Sequence, residues 1–281
     1  VSGFAGIDLT AWRFVVYGVV SVAVLAVSWR RARKPTWPQA WGALWLSVLG
    51  FTGYYWILVM AIRDAGIEMP ALIVGTIPIW VMLLGKPQGL RWVALLPGLL
   101  LTLAGLYFMA KGTLAHADQA PAALNTIASQ SAYWRGIGLA VAAMACWTAF
   151  ALLNAAWLRR NPDVGATEWA NWLGVATGVG GLLLTFTLGT PLPQLVAQPG
   201  WPLFALIVVA IGLGSSWLAT ILWNIASQRL SASLCGQLIV SETLFALLYS
   251  FMWDKRWPTL TQWTAAALFT AGILASIKAH R

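Results

Sequence analysis

Charge is scarce in this chain. Only 9% of its 281 residues are Asp, Glu, Lys or Arg, where a water-soluble domain carries about 25%. Too few charged groups are present to clothe a surface facing water, which excludes an ordinary soluble fold. Histidine occurs twice, as His116 and His280, in a loop and at the C-terminus. That removes a histidine-based zinc or catalytic centre. Cys146 and Cys235 form no CxxC pair and lie in or beside apolar runs. They read as small packing residues, with neither a disulfide nor a metal site implied. No P-loop is present, so any pumping must draw on a gradient or run downhill. No cofactor and no metal are implied.

What the chain has instead is apolar length: 60% of its residues are hydrophobic. About 20 apolar residues at 1.5 Å rise cross a ~30 Å hydrocarbon core. Nine such stretches are predicted, at 10–29, 39–62, 69–85, 91–110, 133–158, 167–188, 202–226, 231–253 and 259–278. The fold class is an all-α polytopic membrane protein. A net charge of +9 suggests nucleic acid at first sight, but the cations sit in short loops between spans, as topology signals do. No nucleic-acid partner is implied.

Those loops alternate in charge. Arg30, Arg31, Arg33, Lys34, Lys86, Arg91, Arg159, Arg160, Arg229, Lys278 and Arg281 fall on one side. Arg13, Arg63, Lys111, Arg135, Lys255 and Arg256 fall on the other, with Asp8, Asp64, Glu68, Asp118 and Asp254. The richer set marks the cytoplasm and takes the C-terminus with it. The localisation expected is a bacterial inner (plasma) membrane, crossed many times.

The chain also repeats itself. Residues 97–109 (PGLLLTLAGLYFM) and 264–276 (TAAALFTAGILAS) place the pairs Ala104-Gly105 and Ala271-Gly272 at one point. Upstream, Ala61 to Pro78 lies over Ala226 to Thr243, Tyr55 falls on Thr220, and Gly6 to Trp12 lies loosely over Gly165 to Trp172. The division read from this is a first repeat at 1–110 with four spans, an extracytoplasmic linker at 111–132, and a second repeat at 133–281 with five spans. An odd number of spans per half gives the copies opposite orientations, the inverted-repeat design of many secondary transporters. It follows that one helix of roughly 20–30 residues is expected before Val1, making ten in all. The linker is small, polar and Pro-containing, as a tether should be.

Several of these residues together resemble the EamA-type drug/metabolite transporter superfamily. Thr10-Ala-Trp-Arg13-Phe14 is similar to the Arg-Phe signature that opens its second helix, and Pro78 to its fourth-helix proline. Trp253-Asp254-Lys255-Arg256, Gln262 and Ala271-Gly272 resemble the ending of each family repeat. The likeness covers essentially the whole chain, and within the superfamily it looks most like the YddG aromatic amino-acid exporter group. Gly85-Lys86-Pro87 departs from the pattern, since an acid is usual there. The resemblance implies ten helices in two inverted halves and export of aromatic amino acids.

Candidate pathway residues follow from what a bilayer tolerates. Glu242 is the acid nearest the middle of any span, and an intramembrane carboxylate is a functional hypothesis by default. It is the coupling candidate, as proton carrier or partner of a substrate ammonium; a buried acid satisfied by hydroxyls or indoles is the competing reading. Trp217, Thr220 and Asn224 fall on one stripe of a span whose Gly212 and Gly214 weaken the helix. Trp147, Ala151 and Asn154 repeat that pattern. Ser233, Gln237 and Ser241 form a third polar stripe beside Glu242. Tyr54 and Tyr55 sit mid-span, where Tyr is unusual. Trp80 lies deep, whereas Trp29, Trp37, Trp41, Trp92, Trp134, Trp201 and Trp257 lie at span ends. For each polar stripe the competing reading is interhelical hydrogen bonding, worth about 1 kcal/mol. Pro78, Gly212 and Gly214 are the hinge candidates; Gly174 and Gly178 form a GxxxG packing motif.

No Lys or Arg is found mid-span, which argues against anionic phosphate cargo. The function read is a secondary active or facilitative transporter exporting aromatic or apolar amino acids by alternating access. The alternative is an exporter of lipophilic cations or drugs with Glu242 as counter-charge. An enzyme needs a positioned acid–base pair or a metal, and one isolated carboxylate supplies neither. A scaffold is equally disfavoured. The partners are thus a small-molecule substrate and the lipid bilayer, and a monomer suffices.

Overall fold

The computed structural model describes residues 3–28, 34–86, 90–117, 127–254, 257 and 259–280. Trp29, Arg30, Arg31, Arg33, Pro87, Asp118, Lys255, Arg256, Arg281, Val1 and linker residues 118–126 lie outside the described residues, and so do the side chains of Glu68, Thr243, Trp253 and Asp254. Among the described residues every regular element is a helix: α1 (Gly6–Val27), α2 (Trp37–Ser47), α3 (Gly53–Ala65), α4 (Glu68–Val74), α5 (Ile77–Leu84), α6 (Trp92–Ala117), α7 (Ile127–Arg160), α8 (Ala166–Leu188), α9 (Leu192–Ala197), α10 (Trp201–Ile211), α11 (Ala219–Arg229), α12 (Ala232–Asp254) and α13 (Leu260–Ala279). A π-turn, Val48–Thr52, joins α2 to α3, and another, Gly212–Leu218, joins α10 to α11. Among the described residues, seven helical stretches are long and apolar enough to cross a membrane, two of them (Trp37–Ala65 and Trp201–Arg229) continuous through a π-turn; α12 and the pair α4–α5 occupy the other two predicted spans. The protein is an all-α polytopic membrane protein.

Two expectations shift in detail. The span 69–85 is broken at Gly75-Thr76, and Pro78 stands in the first turn of α5. A proline there removes no hydrogen bond, because that N–H has no intrahelical partner anyway. Thr76 closes the break by donating its hydroxyl to the Ile73 carbonyl at 2.6 Å. Secondly, α1 begins at Gly6, so Arg13 lies two turns inside the helix instead of at its mouth.

The chain forms two compact units, residues 1–59 with 153–229 and residues 60–152 with 230–281. Each takes helices from both sequence repeats. In the first unit, α1 and α8 pack antiparallel. A Cβ on Gly18 would stand 2.6 Å from the Gly178 Cα, and one on Gly178 the same distance from Gly18. Ser21 lies against Gly174, and Phe14 against Gly181. The GxxxG glycines thus serve the close approach that only small residues permit. In the second unit, α6 and α13 also pack antiparallel: Gly105 meets Phe269, while Gly272 meets Thr102 and the Gly98 carbonyl. In the register of the aligned sequences, Thr102 is the counterpart of Phe269 and Gly105 of Gly272. Contacts are therefore reciprocal across the α6–α13 pair.

The direction of the π-bearing spans follows from their neighbours. α2 runs with α8, since Gly42 lies by Trp169 and Thr52 by Gly180. α10 runs with α1: Phe4 stacks on Phe204 at 4.2 Å, and Gly212 meets Arg13 and Val16. Because α1 and α8 are antiparallel, so are the two spans.

Candidate functional site

Spans Trp37–Ala65 and Trp201–Arg229 share a plan down to the residue. Each is 29 residues long and opens on Trp-Pro. Each changes from α to π winding at its twelfth residue, Val48 or Gly212. A π-turn passes the hydrogen bond from i+4 to i+5 and is frequent at functional sites. Counted from Trp-Pro, Thr220 corresponds to Trp56 and not to Tyr55. Uniform apolar helices offer no sharp anchor, which explains the one-residue difference from the sequence register.

In the first unit the structure brings several candidates together. Asn154 and Asn224 are fully buried and bonded directly, Asn154 Nδ2 donating to Asn224 Oδ1 at 2.9 Å. The Trp169 indole N–H donates to Asn154 Oδ1 at 2.8 Å, and Asn224 Nδ2 reaches the Ala166 carbonyl at 3.4 Å. The two amides thus tie α7, α8 and α11 to one another. Trp217 donates its indole N–H to Asn171 Oδ1 at 2.9 Å. Thr220 gives its hydroxyl to the Ser216 carbonyl at 2.6 Å, and Ser215 to the Ile211 carbonyl at 2.9 Å. Both bonds satisfy carbonyls at the edge of the π-turn, where the helical ladder is disturbed. The Tyr17 hydroxyl donates to the Ala170 carbonyl at 2.6 Å.

Tyr54 and Tyr55 follow the first π-turn. Tyr54 is buried and meets Tyr55 edge-on at 4.7 Å. Tyr55 is half-buried, with Phe14 edge-on at 5.5 Å and the Arg13 guanidinium over its ring at 4.1 Å. Beside this turn, a cleft of about 250 Å³ is walled mainly by apolar side chains, Leu44, Val48, Trp56, Val179 and Leu183 among them, with Ser47, Thr52 and Thr187 adding hydroxyls.

The second unit holds the remaining candidates. Gln237 is fully buried and donates from Nε2 to Thr102 Oγ1 at 2.9 Å, which passes its own proton to the Gly98 carbonyl at 2.8 Å. Gln237 Oε1 is buried without a partner. Ser241 bonds back to the Leu238 carbonyl at 2.7 Å. Glu242 is exposed on its helix. Trp80 is also exposed and donates to Thr76 Oγ1 at 3.2 Å. Trp147 is half-buried and lies edge-on to Phe150 at 6.2 Å. Of the hinge candidates, Gly212 is clamped against α1, Gly214 has nothing within 4 Å of a notional Cβ, and Pro78 opens α5.

Sequence reasoning missed Trp169 and Asn171, which complete the polar contacts of Asn154 and Trp217. The signal was available for Asn171: an amide inside an apolar span, as at Asn154 and Asn224. It also passed over the pairing of Arg13 with Tyr55, two residues distant in sequence on different helices. No group of three or more His, Cys, Asp or Glu side chains able to hold a metal occurs among the described residues. Asp64 joins two cations read as lying on one side of the membrane, accepting from Arg135 Nε at 2.8 Å and Arg63 Nε at 3.2 Å.

No family model matches the chain. A solved structure, described only as "Crystal structure of protein", shares the fold with a TM-score of 0.75 at 22% sequence identity, over 100% of this chain and 90% of that one. The inner membrane protein YtfF of Escherichia coli (strain K12) is 31% identical over 279 residues, 95% of this chain and 85% of the relative. With its many apolar helices and this relationship over nearly its full length, the chain belongs to the YtfF family and is a multi-pass inner membrane protein.

Proposed function

We propose that the protein is a secondary transporter of the EamA drug/metabolite type that exports aromatic or other apolar amino acids by alternating access, its C-terminus in the cytoplasm. The observation that carries this reading is the pair of π-turns at one position in two antiparallel spans. Interrupted helices in inverted copies are where secondary transporters expose backbone groups to a polar solute. Reciprocal packing of α6 on α13 supports two matched halves able to exchange roles. The aromatic cluster after the first π-turn and the apolar cleft beside it suit a substrate ring. Asn154, Asn224 and Gln237 then act as the fixed polar framework that holds the spans around the path.

Uptake of labelled phenylalanine and tryptophan into proteoliposomes tests the reading. Saturable, mutually competing uptake is expected, and its absence across a range of concentrations ends the amino-acid assignment. A second reading, export of lipophilic cations, is favoured by one observation: Glu242 is exposed on a membrane helix, so its carboxylate needs water or a cationic partner. A competition panel of aromatic amino acids against quaternary amines, at two pH gradients, separates the two. Glu242→Gln abolishes transport of quaternary amines under the second reading, whose cargo has no other counter-charge.

A further inference from the structure

We propose that Arg13, with Tyr55 and Phe14 against its guanidinium, is the receptor for the carboxylate of the transported solute; this rests on the transport reading and names the site that confers its substrate class. Arg13 lies two turns into α1, a helix long and apolar enough to cross a membrane, and a cation inside such a span is costly unless paired or facing water. Its guanidinium stands 4.1 Å from the Tyr55 ring centroid and 4.8 Å from that of Phe14. Ring faces satisfy the charge of the guanidinium plane but none of the N–H donors, which point outward along its edges. Nε is enclosed and has no acceptor, while the side chain as a whole is only half-buried. The open edge therefore carries the two Nη groups, where a carboxylate binds end-on through two charge-assisted hydrogen bonds.

The neighbouring acid does not serve as partner. Asp8, on the same helix, is buried with both oxygens engaged, Oδ1 by the Thr190 backbone N–H at 2.8 Å and Oδ2 by the Thr190 hydroxyl at 2.7 Å. Arg13 is thus a cation within a helix of membrane-spanning length, lying over two rings and with no acceptor on its Nε. The first π-turn sets this arrangement. Its wider winding inserts about one residue relative to an α-helix, and one residue is about 100° of rotation. Without it Tyr55, three residues after Thr52, would turn away from Arg13. The aromatic surface continues past the cation: Phe51 lies 6.1 Å from Phe14 and 5.8 Å from Tyr17. A cationic, donating edge beside an aromatic floor fits a solute with a carboxylate at one end and an apolar ring at the other.

Equilibrium binding to the full chain in nanodiscs tests this without requiring transport. The probes are L-phenylalanine, 3-phenylpropanoate, which lacks the ammonium, and phenethylamine, which lacks the carboxylate. The wild type is expected to bind the first two and to bind phenethylamine at least about tenfold more weakly. Arg13→Gln is expected to weaken phenylalanine and phenylpropanoate by about 10- to 100-fold, the equivalent of one charge-assisted bond, and to leave phenethylamine unchanged. Arg13→Lys keeps the charge without the planar pair of donors and should restore part of the loss. Tyr55→Leu should lower both carboxylate probes, while Tyr55→Phe should not. Carboxylate probes bound equally by wild type and Arg13→Gln overturn the proposal. So does a phosphatidylglycerol that copurifies with wild type, is lost from Arg13→Gln and does not compete with phenylpropanoate; the cation then holds a lipid headgroup. If Arg13-dependent binding stands but proteoliposomes show no uptake, the transport reading alone falls.

Discussion

The spans Trp37–Ala65 and Trp201–Arg229 match in length, in their Trp-Pro opening and in the position of the π-turn, yet they surround that turn with different chemistry. After the first turn come Tyr54, Tyr55 and Trp56, which form an aromatic surface beside a cation. After the second come Thr220 and Asn224, both buried and both held in hydrogen bonds. The backbone of a repeat is preserved by packing, since small residues must recur wherever helices touch. Side chains are free to diverge once the winding is fixed. One span therefore presents an aromatic surface beside a cation, and the other a buried polar contact within the bundle.

Three substitutions bear on that division. Gly212→Leu should have the largest effect, because its Cβ would stand 2.7 Å from Val16 Cγ1 and 3.0 Å from the Arg13 carbonyl. Overpacking of about 3 kcal/mol is expected, read as lost thermal stability in detergent; an unchanged melting temperature would show that the second π-turn is not clamped on α1. Asn154→Leu comes next. It strands the Trp169 indole and one face of Asn224, at about 1–3 kcal/mol. Unfolding of Asn154→Leu, Asn224→Leu and the double variant should show coupling, with the double costing less than the sum of the two. Additivity would mean that the amides do not act as a pair. Gly214→Ala is the smallest change, since nothing lies within 4 Å of the new methyl. It should stabilise by up to about 1 kcal/mol while slowing transport, if the second π-turn flexes; faster or unaltered transport would relieve Gly214 of any hinge role.

How much was legible in the sequence varies with the kind of residue. Seven of the nine predicted spans stand as membrane-length apolar helices among the described residues, because about 20 apolar residues leave few alternatives in a bilayer. GxxxG at Gly174 and Gly178 was readable as a packing motif, and the structure puts it at a helix crossing; the two Ala-Gly pairs read as repeat markers, and the structure adds that Gly105 and Gly272 are contact points. Asn154 and Asn224 were recognisable as inward-facing amides, since lipid does not solvate them. That they bond to each other was not, because they lie 70 residues apart in the chain. The π-turns left no mark in the apolar pattern: winding by i+5 or i+4 buries similar faces over one turn. Arg13 read as a topology cation at the mouth of the first span, since a charge near a span end usually is one.

Composition and periodicity alone determined that this chain lives in a membrane as a set of apolar helices, because hydrocarbon admits so few ways to satisfy a backbone. Which polar groups join, which ring covers the guanidinium of Arg13, and where the helices change their winding were decided only by the fold. Those outcomes depend on neighbours brought close by packing, and local sequence does not encode who those neighbours are.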